Sequence, residues 1–216
     1  MDSKIIACLG IDHYDLVQSL AGVAVGLGKT VMVVDLTRDQ AMMISIPAAD
    51  FVGECVNYLG IDFTNSKTYL SQQAKNYDYV FIYFGNDFNT IPSWVEEVYC
   101  VTDCQKQNIA RFKGLQLQSD QYRNLIIRGN LGNKDYKQYA LAELSHLGFD
   151  EEAVVELPFS DGDLEAMLAV QYYSKYKVVN MSYELQDFIT KFFSVDANEK
   201  EIKNAIKKFS KTKGGK

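Results

Sequence analysis

The sequence offers little for metal or redox chemistry. Its four cysteines, Cys8, Cys55, Cys100 and Cys104, form no CxxC pair, and its two histidines, His13 and His146, lie far apart. No zinc site is expected from such a set. Cys8 and Cys100 fall inside apolar, strand-like runs, so the thiols read as buried or free in a reducing cytoplasm. No apolar run approaches membrane-spanning length, and the one near the N-terminus is too short for a signal peptide, which predicts a soluble, cytoplasmic protein. Basic excess is missing as well. A net charge of -6 argues against a general nucleic-acid binder. Neither an internal repeat nor a long linker divides the 216 residues.

What is present is alternation. Six short, mainly apolar runs, IIACL, VMVVDL, YVFIYF, VYCVTD, NLIIRG and AVVELPF, are rich in Val, Ile, Tyr and Phe. Such runs predict strands buried on both faces. Helical patterns lie between most of them. Leu16, Leu20, Ala24 and Leu27 recur at helical spacing, and PAADFVGECVNYLG has a Pro suited to a first helical position and a Gly suited to a C-terminal cap. DCQKQNIARFKGL, KDYKQYALAELSHLG, SDGDLEAMLAVQYY and MSYELQDFITKFF predict further helices. The expected fold is α/β: a doubly wound, mainly parallel sheet with helices on both faces. One domain is expected over residues 1–195, followed by a charged tail, 196–216. The tail reads as a solvated, frayed terminus, although Ile202, Ala205, Ile206 and Phe209 would share one face of a helix.

The stretch GLGKTVMVVDL contains Gly28-Lys29-Thr30, the ending of a phosphate-binding loop. A P-loop requires strand, Gly-rich loop, Lys-Ser/Thr and then helix, so that loop amides and helix N-terminus converge on phosphate. Here the triplet follows a helix and leads into a strand, and Gly22 is one residue too distant for GxxxxGK[ST]. Gly28 fits the left-handed position that closes a helix. The segment after the first strand, LGIDHYDLVQSLAG, holds one early glycine, Gly10, no lysine, and two acids, Asp12 and Asp15. Those carboxylates suit a helix N-terminus and would repel a triphosphate.

The ordered set of segments resembles the MinD/ParA group of P-loop ATPases. KIIACLG…LAGVAVGLGKTVMVVDL is similar to that family's first strand, deviant Walker A loop, helix and GKxVxxxDxD segment. YDYVFIYFGND resembles YDYIIIDTPPG, and VEEVYCVTDCQKQNIARFKGL resembles the ADEVLLVTTPD strand and its helix. NLIIRGNLGNKDYKQYALAELSHLGFDEEAVVELPFSDGDLEAMLAVQ and KYKVVNMSYELQDFITKFF are similar to the closing segments, so the resemblance spans nearly the whole chain.

The resemblance implies a P-loop-NTPase-like three-layer sandwich with ATP and magnesium at the sheet's carboxyl edge. The departures fall on that chemistry. Both Walker A lysines are missing, and His13 and Tyr14 stand where the catalytic Lys and magnesium-binding Thr would be. Asp35 survives from DxD, Thr37 replaces the second acid, and Tyr83 takes the Walker B position. Asn86 and Asp87 lie a turn further on. Arg128 stands where many relatives have an adenine-reading Asn, and Pro158 matches the IP dipeptide lining the base pocket. Without those charges the family's hydrolysis loses its transition-state stabilisation.

The expectation is therefore a pseudo-ATPase with no cofactor and no catalytic residues. Its vestigial pocket would comprise Gly10, Asp12, His13, Tyr14, Asp35, Tyr83, Asp87, Arg128 and Pro158. His13 is expected at the surface in a helix's first turn. Arg128 is expected in a salt bridge with Asp12 or Asp35, Asp35 either as a site remnant or as a strand-end acceptor, and Tyr83 with Phe84 as filling for the phosphate space. Trp94 lies in a region that often contacts a second subunit in relatives. The fourteen tyrosines are scattered, unlike the terminal cluster of bacterial tyrosine kinases.

A scaffold or localisation factor is the first functional expectation. Its partner would be a protein, either an active ATPase or a pilus or secretion component, and a homodimer without nucleotide is compatible with this role. The TadZ/CpaE pilus-localising branch has altered nucleotide motifs too, although its extra receiver-like domain has no counterpart here. Two alternatives stand beside it: an ATPase with a rebuilt loop using Asp35, Asp87 or a partner's lysine, and a membrane-surface regulator using the C-terminal helices.

Overall fold

The computed structural model describes residues 3–11, 13–47, 53–88, 90–118, 121–129, 134–150, 154–173 and 181–209. All six apolar runs are strands: β1 (Lys4–Gly10), β2 (Val31–Asp35), β5 (Tyr79–Gly85), β6 (Glu97–Thr102), β7 (Tyr122–Arg128) and β8 (Val155–Leu157). Two more, β3 (Val56–Tyr58) and β4 (Ile61–Thr64), complete a sheet of order β3-β4-β2-β5-β1-β6-β7-β8. Every neighbouring pair is parallel except β3 with β4.

The helices are α1 (Tyr14–Gly26), α2 (Ala41–Ile44), α3 (Lys67–Gln73), α4 (Lys106–Ala110), α5 (Lys134–Leu144), α6 (Asp161–Tyr173), α7 (Tyr183–Phe193) and α8 (Glu199–Phe209). They cover both faces. Alternate strand residues feed two separate cores, because successive side chains of a strand point to opposite sides. Ile6, Cys8, Val33, Phe81 and Tyr83 pack with α1, α7 and α8. Ala7, Leu9, Val34, Ile82 and Phe84 pack with α3, α4 and α5. This is the expected doubly wound, three-layer arrangement.

The predicted helix over PAADFVGECVNYLG is not formed where the structure describes it. Val56–Tyr58 is instead the outer arm of a hairpin whose turn is Leu59-Gly60, and Val56 faces Phe63 across it. Residues 48–52 of that stretch lie outside the described residues. Pairing along the sheet edge outweighs the local helix signals of Pro and Gly.

The C-terminal stretch also departs from expectation. Glu199–Phe209 is not a solvated terminus but a helix whose Ile202, Ala205, Ile206 and Phe209 are buried in the α1 core. Its seat is built from two glycines of α1. A Cβ at Gly22 would come within 2.0 Å of the Phe209 ring, and one at Gly26 within 2.6 Å of the Ala205 carbonyl oxygen. Only hydrogen side chains let the two helices approach so closely. The charged residues of α8, among them Lys200, Lys203 and Lys207, face outward. In α7, Leu185, Phe188, Ile189, Phe192 and Phe193 are likewise turned inward. Among the described residues, no helix is long and apolar enough to cross a membrane.

Candidate functional site at the carboxyl edge of the sheet

β1 lies between β5 and β6, and the chain moves to β2 and β4 on one side before returning to fill the other. The sheet thus has its topological switch at β1, and ligands of open α/β sheets bind outside the strand carboxyl ends at such a point. Gly10, Asp35, Tyr83 and Arg128 all sit on that edge, at or near the ends of β1, β2, β5 and β7. Asp35 and Tyr83 are register partners across β2 and β5.

The connection from β1 to α1 is tight. Gly10 has φ +114°, and a Cβ there would lie 1.8 Å from the Val101 carbonyl oxygen. The next amide, of Ile11, donates to that same carbonyl at 3.0 Å. The chain is therefore held against β6 as it leaves β1. Asp12 lies outside the described residues.

His13 is fully buried, which corrects the expectation of a surface residue. It precedes α1 as the N-cap without a side-chain capping bond, and its ring meets Tyr83 edge-on, with centroids 4.8 Å apart. Its Nδ1 is hydrogen-bonded to the Ile11 carbonyl, whereas Nε2 is buried with no partner. A carbonyl accepts only from a protonated Nδ1, which leaves Nε2 as a bare lone pair. Burial drives the pKa of His13 down to about 4, against smaller upward pulls from the Ile11 carbonyl and Asp15. His13 is thus a neutral imidazole at neutral pH. Tyr83 is itself 1% exposed, and Phe84 turns to the opposite face of the sheet, into the other core.

Arg128 pairs with Asp15 and not with the expected Asp35; Asp12, the other expected partner, lies outside the described residues. The contact is bidentate, Nη1 to Oδ1 at 2.7 Å and Nη2 to Oδ2 at 2.9 Å. Both side chains are largely enclosed, and the guanidinium also lies over the Phe159 ring at 5.6 Å. Burial pulls the Arg128 pKa down, but the Asp15 carboxylate outweighs it and the net shift is upward. A bidentate, desolvated pair is strong and geometrically specific, and it commits the Arg128 charge. Asp15 also occupies the first turn of α1, where a carboxylate complements the helix dipole.

Asp35 is a strand-end acceptor. One carboxylate oxygen accepts from the Thr37 amide at 2.9 Å and the Thr37 hydroxyl at 2.6 Å, and the other accepts from the Met43 amide at 3.0 Å. These bonds close the turn from β2 into α2. Asp87 is at the surface, where it accepts from the Arg38 amide at 2.9 Å. Tyr14 and Pro158 are half-buried, and the Tyr14 hydroxyl accepts from Gln171 of α6 at 3.1 Å. Lys29 lies between α1 and β2, at the opposite end of the sheet from these groups, and Gly28 closes α1 with φ +84°.

Two participants were not among the sequence candidates. Gln18, buried on α1, donates to the Ser45 hydroxyl at 2.8 Å, and its own carbonyl oxygen has no partner. Phe159 is the ring above Arg128. A polar residue inside the apolar stripe of α1 was the available signal for Gln18; nothing in the local sequence marks Phe159.

No family model matches this sequence, and no curated protein matches it. Comparison with solved structures does find relatives of the fold. The MinD cell division protein of Aquifex aeolicus is 11% identical, with a TM-score of 0.50 over 94% of this chain and 95% of that one. A pNOB8 ParA solved bound to nonspecific DNA is 11% identical, with a TM-score of 0.54 over 96% and 97%. Over nearly its whole length the chain has the fold of the MinD/ParA P-loop ATPases.

Proposed function

We propose that this chain is a non-catalytic MinD/ParA-like pseudo-ATPase that works through protein–protein contacts, as a scaffold or localisation factor. The burial of His13 against Tyr83 carries this reading. Two rings stand where the relatives' motifs would place the catalytic Lys and the Walker B acid, and the buried imidazole is neutral at neutral pH. Catalysis of phosphoryl transfer rests on positive charge and metal positioned against the phosphates. The residues here do not fit that role. Arg128 is already neutralised by Asp15, a carboxylate in the helix turn that would face phosphate.

A rebuilt ATPase site finds little support in the remaining acids. Asp35 is committed to Thr37 and Met43, and Asp87 to Arg38. A membrane-surface role would need the apolar faces of α7 and α8, and both are packed inside the domain. The ParA neighbour was solved on nonspecific DNA, whereas a net charge of -6 disfavours DNA for this chain. A protein partner, with pilus or secretion-system assembly as the preferred setting, is the reading that remains.

Calorimetric titration of ATP with magnesium into the purified chain tests this. No saturable heat and no phosphate release are expected; micromolar binding with turnover would sink it.

A further inference from the structure

On the face of the sheet covered by α3, a cavity of about 500 Å³ opens between α3 and the loop that precedes β6. It lies on the opposite side of the sheet from α1 and the residues around His13. Its lining is mainly apolar: buried Leu70 and Phe84 with Leu36, Pro92 and the exposed Trp94. The volume falls within the roughly 300–1,000 Å³ typical of small-molecule sites, which combine an apolar body with a few placed polar groups. The polar groups are at the mouth: Ser71, Thr90 and Lys67.

Two observations narrow the ligand. Among the described residues, Lys67 is the single charged residue lining the cavity, and no acidic side chain pairs with it. Trp94 is the chain's one tryptophan, yet it is 48% exposed and leaves its ring over a space rather than in a core. A large aromatic is a costly residue to hold half in water, and an apolar body inserted beside it would remove that surface. An unpaired ammonium beside an apolar slot selects an amphiphile with a single negative head.

We propose that this cavity binds a small apolar monocarboxylate, with its hydrocarbon body between Leu70, Phe84 and Trp94 and its carboxylate at Lys67. This site is independent of the residues around His13 and of the proposed lack of ATPase activity.

The test is a titration of the full chain with decanoate, 1-decanol and decyltrimethylammonium, each below its aggregation limit. Trp94 fluorescence and calorimetry are read in parallel. Saturable binding is expected in the order decanoate, decanol, decyltrimethylammonium. Lys67→Gln, an exposed change that leaves folding intact, should weaken decanoate by up to about fivefold, to the level of decanol. Ser71→Phe, which fills the slot from an exposed position on α3, should abolish binding of all three. Equal affinity for the three probes, no saturable signal by either method, or binding indifferent to Ser71→Phe would overturn the proposal. So would sedimentation showing a dimer that Trp94→Ala disrupts, because that would assign the groove to a second copy of the chain.

Discussion

The imidazole of His13 and the phenol ring of Tyr83 meet edge to face at 4.8 Å, inside the domain and at the carboxyl edge of its sheet. The contact couples the start of α1 to the end of β5, and it keeps His13 out of water. The pH response of the fold follows from it. An unfolded histidine titrates near 6.5, and the folded one near 4. Between those values the unfolded chain holds the extra proton, so stability rises with pH and is fully present above about 6.5. The window is worth up to about 3 kcal/mol. Denaturation midpoints measured from pH 4 to 7 should climb in the wild type and flatten in His13→Asn; parallel curves would contradict this account.

The Asp15–Arg128 pair yields a mutant cycle. Removing one partner strands a desolvated charge, so Asp15→Asn or Arg128→Met should each cost about 3–5 kcal/mol. The double variant should recover a good part of that loss. Urea unfolding of all four proteins gives the coupling; additive losses would show that the pair is not a unit.

Close approach of α8 to α1 predicts a second non-additive pair. Gly22→Ala places a methyl group inside the Phe209 ring position and should cost about 1–3 kcal/mol by overpacking. Phe209→Ala should cost about 3–5 kcal/mol through the cavity it leaves. Combined, the two should cost less than their sum, because the alanine at 22 fills part of the space vacated at 209. Thermal unfolding of the three variants is the check.

Thiol chemistry should divide the cysteines in two. Burial pushes Cys8 and Cys100 far up, which removes their thiolates at neutral pH, whereas Cys55 and Cys104 are only half-buried and are raised less. An aromatic disulfide reagent should titrate Cys55 and Cys104 in the native protein and all four in denaturant. Fast reaction of Cys8 in native buffer would contradict the packing of β1.

Much of the sheet was legible because parallel strands are buried on both faces, which writes VMVVD or YVFIY as unbroken apolar runs. The β3–β4 hairpin carries no such mark. Val56–Tyr58 is a three-residue edge strand with Asn57 exposed, and its neighbours Pro47 and Gly60 are equally good helix punctuation. The surroundings of His13 were hidden for a different reason. Burial of an imidazole depends on Tyr83, 70 positions later in sequence, and on the backbone at Gly10 folding against Val101. Arg128 was readable as a structural ion pair, but the choice of Asp15 over Asp35 turns on which face of α1 meets β7. For α8 the lysines suggested solvent. The information that it packs resides in Gly22 and Gly26 of a different helix.

That last arrangement has a temporal side. The seat on α1 is made by residues 22 and 26, and the ring that fills it arrives only with residue 209. During synthesis, α1 therefore keeps its glycine groove open until residue 209 has emerged, and this part of the core cannot close in the order in which it is made. A contact spanning so much sequence is slow to form and leaves apolar surface open meanwhile. The seam between α1 and α8 is therefore a late-closing part of the core.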